Sequence, residues 1–370
     1  MATVREATFD DYEPIEALKE RHNLFGYTEA RWRRIYERSP LLRRQERPWP
    51  IGWVIENDDH DIVGHLGNTP LEYLWNGQPL TCAAASLWVV DERYRGQSLA
   101  LVRRYLRQPG IDLFLDTTAT QVAARVFEKL GMKRTPAPAY DRASYWVLDH
   151  EPFVASFLNW KHFQTARNLA RPLAGMMAVA EKIAGKSRLR ADATVPVEFC
   201  EHFDERFDRF WETLRARRPG LVCVRNRENL SWRFQEAVNN GVAWILIAGD
   251  KTAPLAYAVC LRQDSPDIGL KRMRLADFQC VEGLSKLLPA ILSAALARCR
   301  DEGIHMFEAI GFGAETKARI EALAPHRRQL PSWMFLYKAQ DAALAGKLEN
   351  PSVWDPCTYD GDGWLAQITS

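Results

Sequence analysis

The sequence has little excess charge of either sign, since 49 Lys or Arg face 47 Asp or Glu and the formal net charge is +2. Proteins that capture nucleic acid through their overall charge carry a strong basic excess, and disordered chains are poor in the hydrophobic residues that make up 47% of this one. No apolar run reaches the roughly 18 residues that a membrane-spanning helix requires. Composition therefore excludes all three classes, and 370 residues suffice for about two to three domains.

The sequence lacks the motifs of several common kinds of catalytic and metal site. The eight histidines and seven cysteines form no zinc pattern, and neither a G-x-S-x-G elbow nor a Walker-type phosphate loop is present. Asp360-Gly361-Asp362 offers too few carboxylates for calcium and is typical of a turn. The odd number of cysteines predicts reduced, mostly buried thiols. The acidic first residues, where a signal peptide would be basic and then apolar, predict a cytoplasmic protein.

The first half alternates extended and helical patterns, which favours an α/β or α+β domain. Gly131 suits the position after a helix, and Asn57–Asp61 has the residues of a hairpin turn. Strands are predicted at Thr3–Ala7, Gly52–Glu56, Ile62–Leu66, Leu71–Trp75, Ala84–Val90, Ile111–Leu115 and Ser144–Leu148. Helices are predicted at Tyr12–His22, Glu29–Arg38, Ser98–Arg107 and Gln121–Leu130. We expect the strand at 144–148 to complete the sheet of this half.

The second half repeats the first with an offset of 193 residues. Gly110-Ile111-Asp112-Leu113-Phe114 aligns with Gly303-Ile304-His305-Met306-Phe307, and without a gap Glu128, Leu130 and Arg134 align with Glu321, Leu323 and Arg327. Upstream, a Trp-Arg pair precedes an apolar strand in both halves. The matching order of elements predicts two diverged copies of one unit.

Residues 151–190 differ from both halves, because they hold seven Lys or Arg against two Glu with apolar residues between them. They predict a helical linker broken at Pro172 and Gly185, and hence domains at 1–150 and 191–370. The favoured interpretation is a helix that packs between the two domains. The alternative is a basic amphipathic surface that touches anionic lipid.

A basic turn with one glycine follows the strand at 84–90 and leads into a helix, as Asp91-Glu92-Arg93-Tyr94-Arg95-Gly96-Gln97-Ser98-Leu99-Ala100. Unpaired N–H groups and the positive end of a helix dipole suit a pyrophosphate. The segment resembles the GNAT-type acyltransferase family, whose motif Arg/Gln-x-x-Gly-x-Gly/Ala cradles the pyrophosphate of acetyl-CoA. Arg95 and Ala100 fit that motif, and Ser98 stands where the family has its central glycine.

A second family signature, Asn-x-x-Ala-x-x-x-Tyr-Glu-x-x-Gly-Phe, corresponds to Thr120, Ala123, Phe127, Glu128, Gly131 and Met132. Phe127 replaces the tyrosine that often protonates the leaving thiolate. The resemblance covers about residues 3–148 and implies that the fourth strand holds the pantetheine and the thioester carbonyl of acetyl-CoA or another acyl-CoA. It assigns cofactor binding to Trp88, Val89, Val90, Arg95, Gly96, Gln97, Ser98, Leu99, Ala100, Thr120 and Phe127.

Repeat and resemblance together imply two GNAT-like domains in tandem, each a mixed, mostly antiparallel sheet flanked by helices. The second copy is degenerate, because Leu284–Pro289 replaces the basic turn. Several segments, including Tyr359–Asp362, resemble bacterial tandem proteins often associated with envelope or polysaccharide biosynthesis.

Acyl transfer to an amine needs a base near the thioester carbonyl. Asp116, at a strand end, is the first candidate, and His65 on the hairpin strand is the second. Each has an ordinary structural alternative, a turn cap for Asp116 and local hydrogen bonding for His65.

The segment Arg31–Arg47 contains seven arginines in 17 residues. It predicts either recognition of a phosphate-bearing acceptor or a solvated helix face paired with Glu37 and Glu46. The favoured function is transfer from acyl-CoA to an amine acceptor, such as an amino sugar or envelope precursor. The alternatives are a tRNA-dependent aminoacyltransferase and a non-catalytic ligand- or partner-binding protein.

Overall fold

A computed structural model of the chain describes residues 2–45, 48–137, 140–162, 169–183, 189 and 195–365. Its helices are α1 (Tyr12–Arg21), α2 (Glu29–Glu37), α3 (Pro40–Arg44), α4 (Ser98–Leu106), α5 (Gln121–Lys129), α6 (His150–Trp160), α7 (Ala170–Ile183), α8 (Glu205–Arg217), α9 (Arg227–Asn239), α10 (Leu284–Asp301), α11 (Ala314–Leu323) and α12 (Ala342–Lys347). Its strands are β1 (Thr3–Glu6), β2 (Gly52–Glu56), β3 (Ile62–Trp75), β4 (Gln78–Val90), β5 (Leu113–Ala119), β6 (Lys133–Arg134), β7 (Arg142–Val147), β8 (Val197–Cys200), β9 (Leu221–Cys223), β10 (Ala243–Gly249), β11 (Pro254–Arg262), β12 (Arg272–Cys280), β13 (Met306–Ile310), β14 (His326–Gln329) and β15 (Met334–Ala339).

Two mixed sheets form the framework. The first has the strand order β1-β2-β3-β4-β5-β15-β6, with β9 paired to the far end of β3, and the second has the order β14-β7-β13-β12-β11-β10-β8. Each sheet is antiparallel except for one parallel pair, β4 with β5 and β12 with β13. This arrangement confirms the predicted fold class of two mixed, mostly antiparallel sheets flanked by helices.

The offset of 193 residues also relates the elements themselves. It maps Leu113 at the start of β5 onto Met306 at the start of β13, and it maps α5 onto α11 and β6 onto β14. The parallel pair therefore occupies the same place in both sheets.

The sheets exchange strands, which corrects the expectation that the strand at 144–148 completes the first sheet. That strand, β7, lies in the second sheet between β13 and β14. In return β15 lies in the first sheet between β5 and β6. The position of a strand in a sheet depends on which strand its main chain pairs with. The positions of β7 and β15 both suit an apolar strand, so the sequence pattern alone cannot tell which sheet each strand joins.

Other differences concern continuity. The two predicted strands between 62 and 75 form one long strand, β3, because its residues keep pairing with β4 along the hairpin. Pro172 does not break the linker helix, since it lies in the first turn of α7, where a missing N–H has no partner to lose. Gly185 lies outside the described residues. Among the described helices, none combines the length and apolar character that a membrane crossing requires.

The apolar faces of the first sheet are covered differently on its two sides. On one side α4 and α5 enclose a cluster that includes Tyr105, Phe114 and Phe127. On the other side α1 and α2 close a core that continues without interruption into the second sheet. Gly131 has φ 90° immediately after α5, as the sequence predicts for the end of that helix.

The arginines of 31–47 mostly contact carboxylates or carbonyls across the fold. Arg34 pairs with Glu236 at 2.8 Å, Arg43 and Arg44 pair with Glu228, and Arg31 Nη2 donates to the carbonyl of Leu365 at 2.6 Å. These bonds tie the first helices to α9 and to the end of the chain. Glu46 and Arg47 lie outside the described residues.

Candidate active site

A cleft opens where β4 and β5 diverge. The two strands pair in parallel only from Cys82–Ala84 to Leu113–Leu115. Beyond that point β4 no longer pairs with β5, whose other edge pairs with β15 from Leu113 to Ala119, and a cavity of about 390 Å³ lies beside the ends of β4 and β5. Both strands and both halves of the chain contribute to its walls.

A bulge turns the backbone of β4 at the edge of this cleft. The register with β3 shifts between the pairs Gly67–Ser86 and His65–Val89, which leaves one extra residue on β4. Leu87, inside the bulge, has φ 49°, a conformation that β-branched and bulky residues rarely adopt. The bulge redirects Leu87 and Trp88, which line the cavity, away from regular pairing.

Asp116 lies on β5 and lines the cavity, although its side chain is almost fully buried. Burial raises its pKa well above the ordinary value, and the nearby Asp362 carboxyl raises it further. The N–H of Thr118 donates to its Oδ1 at 3.3 Å inside β5, so Asp116 does not cap a turn as its structural alternative predicted. The first candidate base is therefore in the cleft and favours its neutral form.

Asp362 enters the same cleft from the other end of the sequence. Thr117 Oγ1 donates to its Oδ1 at 2.8 Å and Thr118 Oγ1 donates to its Oδ2 at 2.9 Å. Burial raises its pKa to about 6, and the two threonine hydroxyls limit that rise. Sequence reasoning assigned this residue to a turn and missed its place, because nothing in the pattern shows that positions 117 and 362 meet.

The C-terminal tail, residues 358–365, is held firmly enough to position Asp362. Thr358 Oγ1 donates to the carbonyl of Ala276 and Tyr359 Oη donates to that of Val224, both at 2.6 Å. The guanidinium groups of Arg225 and Arg233 lie 4.4 and 3.7 Å from the centre of the Tyr359 ring. The second half of the chain therefore anchors a carboxyl that faces the first sheet.

His65, the second candidate base, lies on β3 and is not among the residues that line the cavity. Its Nδ1 donates to the carbonyl of Leu87 at 3.2 Å, which ties it to the β4 bulge. Burial, together with the nearby Lys19, lowers its pKa to about 3, so the ring is neutral. The structure thus places His65 behind the bulge.

The residues implied by the resemblance divide into two groups. Trp88 and Thr120 line the cavity, and Phe127 packs edge-on against the Trp88 ring with centroids 5.3 Å apart. Val89 and Val90 continue β4 toward the basic turn. Arg95, Gly96, Gln97, Ser98, Leu99 and Ala100 lie beyond the cavity.

The basic turn itself is helical. Residues Glu92–Gln97 form a 3₁₀ helix that runs into α4, and the N–H of Ser98 donates to the carbonyl of Arg95. Ser98 Oγ bonds the same carbonyl at 2.7 Å, and exposed Arg95 pairs with Glu92. A side chain at Gly96 would meet only open space. In this conformation the turn presents an exposed cation and an accessible backbone, and some of its N–H groups already have partners.

The wall opposite β4 comes from the second half. Arg274 on β12 and Trp333, just before β15, line the cavity, and the guanidinium lies 4.9 Å from the centre of the Trp333 ring. Arg274 Nε and Nη2 donate to Glu308 at 2.9 and 2.7 Å. Its Nη1 is buried without a partner, as is the indole nitrogen of Trp88.

The corresponding place in the second sheet holds another cavity, of about 400 Å³. It is lined by Glu282, Glu315 and Asp355, and Arg218 in its wall is already bound to Asp355. Carboxylates repel phosphate, which agrees with the absence of a basic turn from this copy. No group of three His, Cys, Asp or Glu side chains that could hold a metal ion occurs in the part of the chain the structure describes.

Comparison with known proteins gives structural similarity only. No family model and no curated protein matches the sequence. A GCN5-related N-acetyltransferase from Anabaena variabilis is similar in structure, with 14% sequence identity and a TM-score of 0.53. The match covers 93% of this chain and 74% of the Anabaena protein. For a GCN5-related N-acetyltransferase from Kribbella flavida, the match covers 93% of this chain and 72% of that protein, with 13% sequence identity and a TM-score of 0.53. For an N-myristoyltransferase of Saccharomyces cerevisiae with bound myristoyl-CoA, the match covers 91% of this chain and 79% of that protein, with 12% sequence identity and a TM-score of 0.55. At these identities the comparisons show a shared fold.

Proposed function

We propose that this protein transfers an acyl group from acetyl-CoA or another acyl-CoA to an amine, in the cleft between β4 and β5. The observation that carries the proposal is the meeting of two buried carboxyl groups, Asp116 and Asp362, with the bulged backbone of β4 in one cavity. The shared fold with N-acetyltransferases and an N-myristoyltransferase supports it.

The cleft fits a thioester of this kind. The diverging strands leave the end of β4 without a parallel neighbour, so its backbone can bind an extended pantetheine chain. The unpartnered indole N–H of Trp88 is a further donor on that wall. Arg95 and the accessible backbone at Gly96 lie at the end of the same strand, where the pyrophosphate would bind.

Asp362 and Asp116 suit opposite proton transfers. With a pKa of about 6, Asp362 is a carboxylate at neutral pH and can accept the proton that the attacking amine loses. Asp116, whose pKa lies well above its ordinary value, keeps a proton that it can give to the departing thiolate. When bound, the acyl-CoA supplies an activated carbonyl and a thiolate leaving group, so that a C–N bond forms and the C–S bond breaks. Two carboxyl groups whose pKa values are separated by their surroundings are typical of an acid–base pair.

The test combines binding and turnover. Calorimetric titration with acetyl-CoA and a medium-chain acyl-CoA should show binding that Arg95→Glu weakens, because a carboxylate would replace a cation near the pyrophosphate. With an amine panel, chromatographic detection of released CoA should show turnover that Asp362→Asn lowers by about 100-fold or more. Asp59→Asn, in the exposed hairpin turn, is the matched control and should leave turnover unchanged.

The pH profile identifies the base. The logarithm of kcat/KM should rise with pH and level off above an apparent pKa of about 6, as Asp362 loses its proton. Asp362→Asn should abolish that limb. A wild-type profile that is flat across this range, or a limb that survives in Asp362→Asn, would overturn the assignment of Asp362.

A non-catalytic ligand-binding protein is the second candidate. It is favoured by the helical conformation of Glu92–Gln97 and by Phe127, which has no proton to give a thiolate. Binding of acyl-CoA without release of free CoA to any amine would support this candidate over the transferase.

A further inference from the structure

We infer that the amine acceptor carries its own carboxylate, which Arg274 binds in the cleft. The inference rests on the proposed function and extends it to the class of acceptor. It starts from the hydrogen-bonding groups that the walls of the cavity leave without a partner.

The unpartnered groups on these walls are donors. Arg274 lines the cavity, is 5% exposed, and leaves Nη1 without a partner, and the indole nitrogen of Trp88 is also unpartnered. An unsatisfied buried donor costs free energy unless a ligand or water accepts its hydrogen bond. A ligand that completes this site therefore brings acceptor oxygens to Arg274.

Charge indicates that these oxygens belong to an anion. Glu308 faces three guanidinium groups, those of Arg272 at 3.5 Å, Arg274 at 2.7 Å and Arg328 at 2.5 Å. Asp264, which accepts from the Arg272 N–H at 2.8 Å, also pairs with Arg262. Two carboxylates therefore face four guanidinium groups, and the cluster keeps excess positive charge. Arg274 is the member of the cluster that lines the cleft.

The opposite charge is present in the same cavity. Asp116 and Asp362 line it from the first sheet and the C-terminal tail. An acceptor with an ammonium group and a carboxylate would satisfy both sets, its nitrogen toward the aspartates and its carboxylate toward Arg274. Amino acids, and larger molecules that end in one, have this pattern, whereas a simple amine leaves Arg274 Nη1 without a partner.

Matched pairs of acceptors test the inference. The pairs are glycine with methylamine, phenylalanine with phenethylamine, and lysine with cadaverine, each assayed with acetyl-CoA for the N-acetylated product. We expect kcat/KM to be about tenfold or more higher for the carboxylate-bearing member of the pair that the cleft accepts, because a charged hydrogen bond is gained. Equal use of both members by the wild type would overturn the inference.

Arg274→Lys is the variant, because a lysine keeps a cation beside Glu308 but has no second nitrogen to reach the ligand. It should remove the preference, mainly by raising KM for the carboxylate-bearing member toward that for the simple amine. Arg328→Gln also removes a partner of Glu308 but lies outside the cavity lining, so it should keep the preference. Survival of the preference in Arg274→Lys would contradict the role of Arg274.

Calorimetric binding of the same amino acids separates this inference from the proposed function. Binding that requires Arg274 but leads to no acyl transfer supports the subsite and overturns the transferase. Turnover of simple amines only supports the transferase and overturns the subsite. If no amino acid binds or is acylated, the subsite is wrong.

A second inference rests on a different surface, the hairpin of α6 and α7. These helices pack together through Val154, Leu158, Ala170 and Ala174, a cluster separate from the main core. Their outer side leaves large apolar side chains exposed, namely Phe157, Trp160, Leu169, Leu173, Met176, Val179 and Ile183. Leu169, just before α7, and Leu173, Met176 and Ile183 on α7 follow helical spacing, so they form one stripe.

We propose that this stripe docks on an anionic membrane surface. Lys161, Arg171 and Lys182 are exposed on the same two helices and their connection, and Lys161 lies 4.1 Å from the Trp160 ring. Residues 151–190 hold seven Lys or Arg and two Glu, whereas the whole chain has a net charge of only +2. One of those glutamates, Glu181, is buried and bound to His150 and His326. An exposed apolar and aromatic stripe, with basic residues on another face of the same helices, is typical of interfacial anchors.

Co-sedimentation with lipid vesicles tests this proposal. The full chain should bind vesicles that contain phosphatidylglycerol and should bind much less to pure phosphatidylcholine. A Met176→Glu, Ile183→Glu double variant should lose binding, and Val122→Glu, at an exposed apolar position on α5, should retain it. Absence of binding to the anionic vesicles would overturn the proposal. A dimer in light scattering that the double variant dissociates would assign the stripe to a second copy instead.

Discussion

Buried carboxyl groups in this protein titrate in opposite directions, and their neighbours explain why. Burial is the largest influence on Glu308 and would raise its pKa, but Arg272, Arg274 and Arg328 outweigh it and the pKa lies well below the ordinary value. Asp116 and Asp362 are equally buried but have only hydroxyl and backbone partners, so burial dominates and their pKa values rise. Glu308 in the second sheet therefore stays charged, whereas Asp116 and Asp362 in the cleft hold their protons to higher pH.

Asp362→Asn should change the pH dependence of stability. The folded-state pKa of Asp362, about 6, exceeds the ordinary 3.8, so the folded protein binds more protons and wild-type stability falls as pH rises between these values. Relative to the wild type, the Asn variant should gain about 2 kcal/mol in free energy of unfolding from about pH 4.5 to about pH 7.5. Urea denaturation at both pH values measures the difference, and a constant difference would contradict the raised pKa.

Glu308→Gln should destabilise the second sheet strongly. Removal of the carboxylate that pairs with the side chains of Arg272, Arg274 and Arg328 leaves the buried Arg274 without its ion-pair partner, and we expect a loss of about 3 to 5 kcal/mol in free energy of unfolding. Glu349→Gln breaks an exposed pair with Lys133 and should change the free energy of unfolding much less. Equal losses in urea denaturation would show that the arginine cluster does not depend on Glu308.

At the scale of elements, the C-terminal tail connects several strands, whereas the sequence predicted only a turn at Asp360-Gly361-Asp362. Its Gly361 lies against Thr117, where an added Cβ would overlap the threonine side chain. Its Asp360 accepts from Arg225 at 3.0 Å, and the Tyr73 hydroxyl donates to the Asp360 carbonyl. The tail therefore joins β3, β5 and the second half, and the cleft is complete only when it is in place.

Gly361→Ala should displace Asp362 from its threonines. The overlap of the new methyl group with Thr117 cannot be relieved without moving the tail or β5, so acyl transfer should fall to the level of Asp362→Asn. Gly346→Ala on α12 meets nothing within 4 Å and should leave turnover and thermal stability unchanged or slightly raised. Full turnover in Gly361→Ala would show that the position of the tail does not matter for the chemistry.

At the scale of the whole molecule, the two sheets are not independent. The first sheet takes β9 and β15 from the second half, and the second sheet takes β7 from the first half. One continuous apolar core spans both. Arg274 and Asp362, which belong to the second half by sequence, consequently reach a cleft built on strands of the first.

A fragment of residues 1–162 should not fold alone. Without β15, the strands β5 and β6 lose their shared neighbour and the cleft loses its far wall. Co-expressed with residues 163–370, the fragment should become soluble and co-purify. Circular dichroism and amide NMR dispersion measure folding, and a well-dispersed spectrum from the fragment alone would contradict the strand exchange.

Local patterns predicted much of this structure from the sequence. The helices α1, α2, α4 and α5, the hairpin turn at Asn57–Asp61 and the order of elements all follow from spacing and turn residues. Asp116 also lies in the cleft, although β5 continues past it to Ala119 and does not end before it as the pattern predicted. These features depend on contacts within a few residues, which a linear pattern records.

The sequence by itself determined the fold class, and it proposed Asp116, which lies in the cleft. Only the tertiary structure decided that β7 and β15 change sheets, that His65 lies behind the bulge, and that Asp362 and Arg274 face Asp116. The physical reason is the separation along the chain of the residues that interact. Helix periodicity and turn chemistry act between neighbours, whereas the pairing of Thr117 with Asp362 joins residues 245 positions apart and depends on which apolar strands find each other.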